Sequence, residues 1–294
     1  MVRFTDFLVY LRNTADAATR LTWPSSIILL DSVGYHSGMN LSADIQQIIE
    51  RVERDTDRPV HLLPNPALPT LANIKAARGD SPAHFLTYRP DAQGIDYAVA
   101  FQCGFVLRIF QNPPEARYEF GGQEEGRASV RKSLAGPGGT LKPYNLPDAT
   151  VKTVTGQMFD GLMTQLRSLP IGMRVDAWLR ADYPGLHAAQ EKSFATQQAE
   201  AALALSPKIR AMTPPTLFSA NSAMNAAYAL FCDRLLGRPL YGVPYRSTGV
   251  ADRGQALLDL WDQTPADAAH DRALVDAWGN ELGLTDWYTW LPWQ

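Results

Sequence analysis

The chain is poor in cysteine, in excess charge and in long apolar runs. Two cysteines among 294 residues, Cys103 and Cys232, cannot build a disulfide framework, and neither has a CxxC partner or zinc-finger spacing. Reduced thiols in a cytoplasmic protein are expected. The 27 Lys and Arg against 30 Asp and Glu leave a formal charge of -3, so no basic excess exists to displace counterions from a phosphate backbone. Composition therefore gives no support to nucleic-acid binding. No stretch approaches the roughly 20 apolar residues of a membrane span. Asp6, Arg12, Asp16 and Arg20 interrupt the N-terminus, so no signal peptide is expected. The histidines His36, His61, His84, His187 and His270 form no i,i+3 or i,i+4 pair, and no metal or other cofactor is expected. P-loop and GxGxxG fingerprints are missing, and Gly136-Pro137-Gly138-Gly139 lacks the Lys-Ser/Thr that a phosphate loop needs. Repeats of solenoid period are absent too.

What the chain does have is an ordinary globular composition, 46% hydrophobic and 19% charged, enough for a sizeable core. Phe4, Phe7, Leu8, Leu11 and Ala15 recur at helical steps, and Ser25 to Leu30 reads as a strand before a glycine-bearing loop, Asp31 to Gly38. The spacing of Ile45, Ile48, Ile49 and Val52 predicts a helix over 42–54 with Ser42 as its N-cap. Residues 59–63 and 83–89 read as strands, and 68–77 as a short helix. From Asn112 to Asp148, Pro113-Pro114, Gly121-Gly122 and the Gly136 to Gly139 run predict a long excursion with partial order. Helices are expected over 149–169, 173–181, 186–205, 218–236, 254–263 and 265–282, punctuated by Pro170, Pro184, Pro214-Pro215 and Gly237-Arg238-Pro239.

Ile95 to Phe110 is too long for a buried strand and apolar on nearly every side, which predicts a buried central helix. On it Tyr97, Phe101, Phe105 and Arg108 fall along one stripe. The segment Ala100-Phe101-Gln102-Cys103-Gly104-Phe105-Val106-Leu107 resembles the zinc helix of zincin metallopeptidases, Ala-His-Glu-x-Gly-His-x-Leu. The scaffold positions match and the chemical ones do not. In that family two histidines one turn apart bind zinc and the glutamate is the general base. Phe101 and Phe105 offer no lone pair, and the Gln102 amide cannot take a proton from water near neutral pH. Small cytosolic metallopeptidases of the ImmA/IrrE type are similar in arrangement, with an N-terminal helix, a short sheet and then the zinc helix. Met224-Asn225 and the alanine-rich run after them resemble the family's third-ligand helix, with Met224 or Asn225 in the glutamate's place. The resemblance implies a scaffold that has lost every ligand together, and by analogy a stress or phage-related role.

The expected fold is α-rich α+β: a small sheet packed on the buried central helix, then a helical C-terminal half. Residues 1–111 form the metallopeptidase-like core, 112–148 a flexible insertion, and 149–294 helices packed on the core with an aromatic tail. The expected function is that of a non-catalytic pseudoenzyme acting through protein contacts, as a regulator or a subunit of a bacterial assembly. Candidate contact residues are Arg127 and Arg131 in the excursion and Trp287, Trp290 and Trp293 in the tail, where Trp and Tyr either dock on their own domain or anchor a partner. A protein partner is expected, a membrane is not, and a homo-oligomer stays open. The alternative is an active hydrolase, with Cys103 as nucleophile and His84 as base, or with metal ligands drawn from scattered positions.

Overall fold

The computed structural model describes residues 41–293, so the expected opening helix, the 25–30 strand and the loop holding His36 lie outside the described residues. Helix α1 (Ala43–Thr56) buries Ile45, Ile48, Ile49 and Val52, the face that the spacing predicts. Ser42 holds the N-cap position, but its hydroxyl caps nothing. Strands β1 (Val60–Pro64), β2 (Ala72–Lys75) and β3 (His84–Tyr88) follow. The central strand is β3, paired parallel with β1 and antiparallel with β2.

Strand β2 corrects the helix expected over 68–77. A four-residue run of Ala, Asn, Ile and Lys is too short for periodicity to decide its class, and β3 supplies the ladder that settles it. Helix α2 (Ile95–Phe110) is the buried central helix, entered through Gly94 at φ 81°, a conformation that costs glycine nothing. Its Gly104 lets α2 approach the next long helix, because a Cβ there would strike the Val175 side chain.

The 112–148 stretch contains strand β4 (Tyr118–Gly122) and helix α3 (Glu124–Ala135), more order than its glycines and prolines predict. Its stabilising partners lie far away in sequence. Strand β5 (Tyr288–Pro292) of the aromatic tail pairs antiparallel with β4, from Tyr118 opposite Pro292 to Gly122 opposite Tyr288. Val130 and Leu134 of α3 are fully buried, and Gly126 lies against Phe159 and Trp287.

Helix α4 (Asp148–Asp182) runs unbroken for 35 residues where two helices are expected. Pro170 removes one ladder donor without ending it, because the ring is buried and its carbonyl accepts the Trp261 indole N–H at 3.0 Å. Helices α5 (His187–Leu203), α6 (Pro207–Met212), α7 (Pro215–Leu236), α8 (Val243–Ser247), α9 (Ala251–Gln263) and α10 (Asp271–Glu281) complete the α-rich α+β fold. One apolar core runs from Ile45 to Tyr288 and takes side chains from the sheet, the excursion and the helical half. Among the described residues, no helix is long and apolar enough to cross a membrane.

Candidate functional site

A cleft of about 1580 Å³ opens between β2, α2, the N-terminal two thirds of α4 and the β4–β5 ribbon. The five consecutive residues from Ala72 to Ala76 all line it. Side chains alternate faces along a strand, so an unbroken run at the wall means that the cleft meets β2 edge-on. The backbone bond from Arg89 N–H to Leu71 O fixes the phase of the β2–β3 ladder. Asn73 and Lys75 therefore turn their main-chain groups to β3, and Ala72 and Ile74 turn theirs away. No described strand pairs with that outer edge.

The cleft is also cationic. Eight Lys and Arg side chains line it against three carboxylates, in a chain whose net charge is -3. Five of the eight are engaged. Arg78 grips Glu119 with both arms at 2.6 and 3.1 Å, and Arg108 grips Asp271 at 2.6 and 2.8 Å. Arg127 reaches Asp160 at 2.9 Å, and Arg272 lies 4.5 Å over the Tyr118 ring and 3.7 Å from Asp276. Arg117 donates to the Asn112 carbonyl at 2.8 Å and covers the Phe110 ring.

Lys75, Lys152 and Arg167 make no hydrogen bond or ion pair among the described residues. All three side chains are exposed. Arg167 is accessible to solvent and yet surrounded by protein, because it stands in a concavity. That enclosure lowers its pKa, Glu119 opposes the shift and Arg78 adds to it. A guanidinium nevertheless stays charged near neutral pH.

A smaller pocket of about 170 Å³ adjoins the cleft, and Phe101, Gln102, Gln165, Asn221, Asn225 and Tyr228 are on its walls. The structure thus gathers Phe101, Gln102 and Asn225, three of the five residues singled out by the zincin-like pattern. Gln165 donates to Asn225 at 2.6 Å, Asn221 to Gln165 at 2.7 Å and Asn225 to Asn221 at 3.2 Å, a closed ring of amides. Phe105 packs edge-on against Phe101 with ring centroids 5.2 Å apart and faces the larger cleft, whereas Met224 is fully buried in the core. Gly172 of α4 lies over both rings, with room for a Cβ only 3.0 Å from Phe101. Among the described residues no three His, Cys, Asp or Glu side chains converge to hold a metal ion.

Beneath the small pocket lies a buried acid. Asp176 accepts from Tyr97 at 2.5 Å and Tyr228 at 3.0 Å, and Gln190 donates to its backbone carbonyl at 2.9 Å. Burial raises the Asp176 pKa to about 7 against the pull of those donors, and burial likewise raises both tyrosines well above their ordinary values. The network ties α2, α4, α5 and α7 together.

The structure does not assemble the cysteine-hydrolase alternative. His84 Nδ1 accepts the Ala77 N–H at 2.9 Å, which puts the proton of the neutral ring on Nε2, 2.9 Å from Thr56 Oγ1. Both nitrogens are occupied, and burial lowers the ring's pKa to about 4. Cys103 is fully buried, and burial pushes its thiol up to about 12. That is the opposite of an activated nucleophile.

The aromatic tail docks on its own domain. Trp287 packs by Phe159, the Trp290 indole donates to Asp276 at 2.8 Å, and Arg78 covers the Trp293 ring at 4.0 Å. Trp290, Trp293 and Arg127 line the cleft, while Arg131 is exposed outside it. Sequence reasoning missed Arg167 and Asp176. The one available signal for Asp176 was a lone carboxylate inside an apolar helical stretch.

Compared with known proteins, the chain matches no family model, no curated sequence and no solved structure.

Proposed function

We propose that the chain is a non-catalytic scaffold, similar in layout to zincin metallopeptidases, which docks an extended segment of a partner protein in its large cleft. The setting is cytoplasmic, and the role is that of a regulator or an assembly subunit. One observation carries this reading: the outer edge of β2, unpaired with any strand among the described residues, runs along the cleft wall and offers the Ile74 N–H and carbonyl and the Ala72 N–H, while the Ala72 carbonyl accepts the Thr70 hydroxyl at 3.4 Å. An extended peptide adding a strand there would take affinity from the ladder and specificity from the walls. Phe101, Gln102 and Phe105 support the non-catalytic half, since they fill the zinc-helix positions with side chains that neither bind metal nor take up a proton.

Hydrogen–deuterium exchange on the full chain tests the reading, with a mixture of strand-forming decapeptides of varied charge. Slowed exchange at residues 72–76 on peptide addition is the expected result. Peptide-dependent protection elsewhere, with 72–76 unchanged, would contradict docking on β2. Peptide cleavage by the zinc-supplemented chain would contradict a non-catalytic role.

A further inference from the structure

We infer that the segment received by the cleft is acidic, and that Arg167 is the anchor for its carboxylates, with Lys75 and Lys152 alongside. This rests on the docking role proposed above and names the partner's chemistry.

Arg167 leaves five donors without an acceptor among the described residues, although Glu119 and Asp160 line the same cleft and are held by Arg78 and Arg127. An arginine whose neighbours are already matched is poised for a carboxylate from outside, which it can grip with two parallel bonds. Lys75 stands on β2 itself and Lys152 on α4, so ligand carboxylates spaced along an added strand meet cations on both walls. The surplus of lining cations over lining carboxylates, in a chain of net charge -3, also steers an acidic ligand toward this site.

A nucleic acid would match the charge but not the walls. Single strands are held largely by stacking bases on open aromatic faces. Here Arg78 covers Trp293, Arg272 lies over Tyr118 and Trp290, Phe120 stacks on Tyr288, and Phe101 and Phe105 pack edge-on against each other. The open feature is instead a strand edge, which recognises peptide backbone.

The test is fluorescence anisotropy of the full chain with three labelled decapeptides, in which valine alternates with glutamate, lysine or serine. A fourth probe is the glutamate peptide N-methylated on alternate amides, and a fifth is a deoxythymidine decamer. The glutamate peptide is expected to bind at least about tenfold tighter than the lysine and serine peptides, and to weaken as salt rises from about 50 to about 300 mM. Arg167→Gln is expected to lower its affinity about tenfold. Arg238→Gln, which alters a cation paired with Glu191 outside the cleft, should leave it unchanged.

Equal binding of the three peptides, indifferent to Arg167→Gln but abolished by N-methylation, would overturn the acidic preference and leave strand docking intact. Indifference to N-methylation, or no binding of any peptide, would overturn docking on β2 and this inference with it. Tighter binding of the deoxythymidine decamer, lost in Arg167→Gln, would reassign the cleft to nucleic acid.

Discussion

Asp176 and Arg167 stand on the same helix, and the fold treats them in opposite ways. At about 100° per residue, the nine positions between them place the two side chains about 180° apart around α4. One points into the protein and the other into the cleft. Asp176 is fully buried and receives hydrogen bonds from three other helices, so its charge is resolved within the chain. Arg167 is exposed within the cleft, and its guanidinium donates to nothing among the described residues. A buried polar group that is fully partnered specifies the packing of its neighbours. An exposed cation without an ion pair among the described residues gains no stability from pairing, which suits it to the ligand proposed above. The two residues differ in whether the described chain itself supplies their partners.

The largest effect that would break this contrast is on the inner side. Asp176→Ala leaves the Tyr97 and Tyr228 hydroxyls without their shared acceptor, and a loss of about 3 kcal/mol in urea unfolding is expected. A loss below about 1 kcal/mol would show that the network does not hold the four helices. Packing should follow the same division. Gly104→Ala drives a methyl into Val175 and should cost about 2 kcal/mol, whereas Gly156, on the cleft side of α4, has nothing closer than 3.6 Å to a new Cβ. Gly156→Ala should therefore raise stability by about 0.5 kcal/mol, through the lower chain entropy of the unfolded state.

Titration sharpens the comparison within the interior. The raised pKa of Asp176 contributes stability that is fully present below its unfolded value of 3.8 and lost as pH rises through about 7. The lowered pKa of His84 contributes stability that is present above 6.5 and lost as pH falls through about 4. The two oppose each other across the same window. Urea unfolding between pH 7 and pH 4 should show a steeper acid loss in Asp176→Asn than in the parent, and a shallower one in His84→Asn. Parallel curves for all three would mean that neither group is held as its burial indicates.

Local pattern made part of this legible. The α1 face, strands β1 and β3 and the limits of α2 follow from periodicity, because each element buries a face through its own spacing. The elements that were misread depend on distant partners. Strand β2 exists because β3 lies beside it, and Pro170 sits within α4 because Trp261 and the core hold the helix on both sides of it. The order of the excursion needs β5, some 170 residues further along the chain. The site divides likewise. Phe101, Gln102 and Asn225, singled out by a motif, line one pocket. Arg167 was not, since an arginine in an amphipathic helix looks the same whether or not a carboxylate awaits it. Being unmatched is a property of three-dimensional neighbours.

Whether the Arg167 cation serves binding and not stability can be read from one paired measurement on Arg167→Gln. Urea unfolding and anisotropy with the glutamate decapeptide are run on the same preparation. A stability within about 0.5 kcal/mol of the parent is expected together with an affinity about tenfold weaker. A marked loss of stability with unchanged affinity would contradict it.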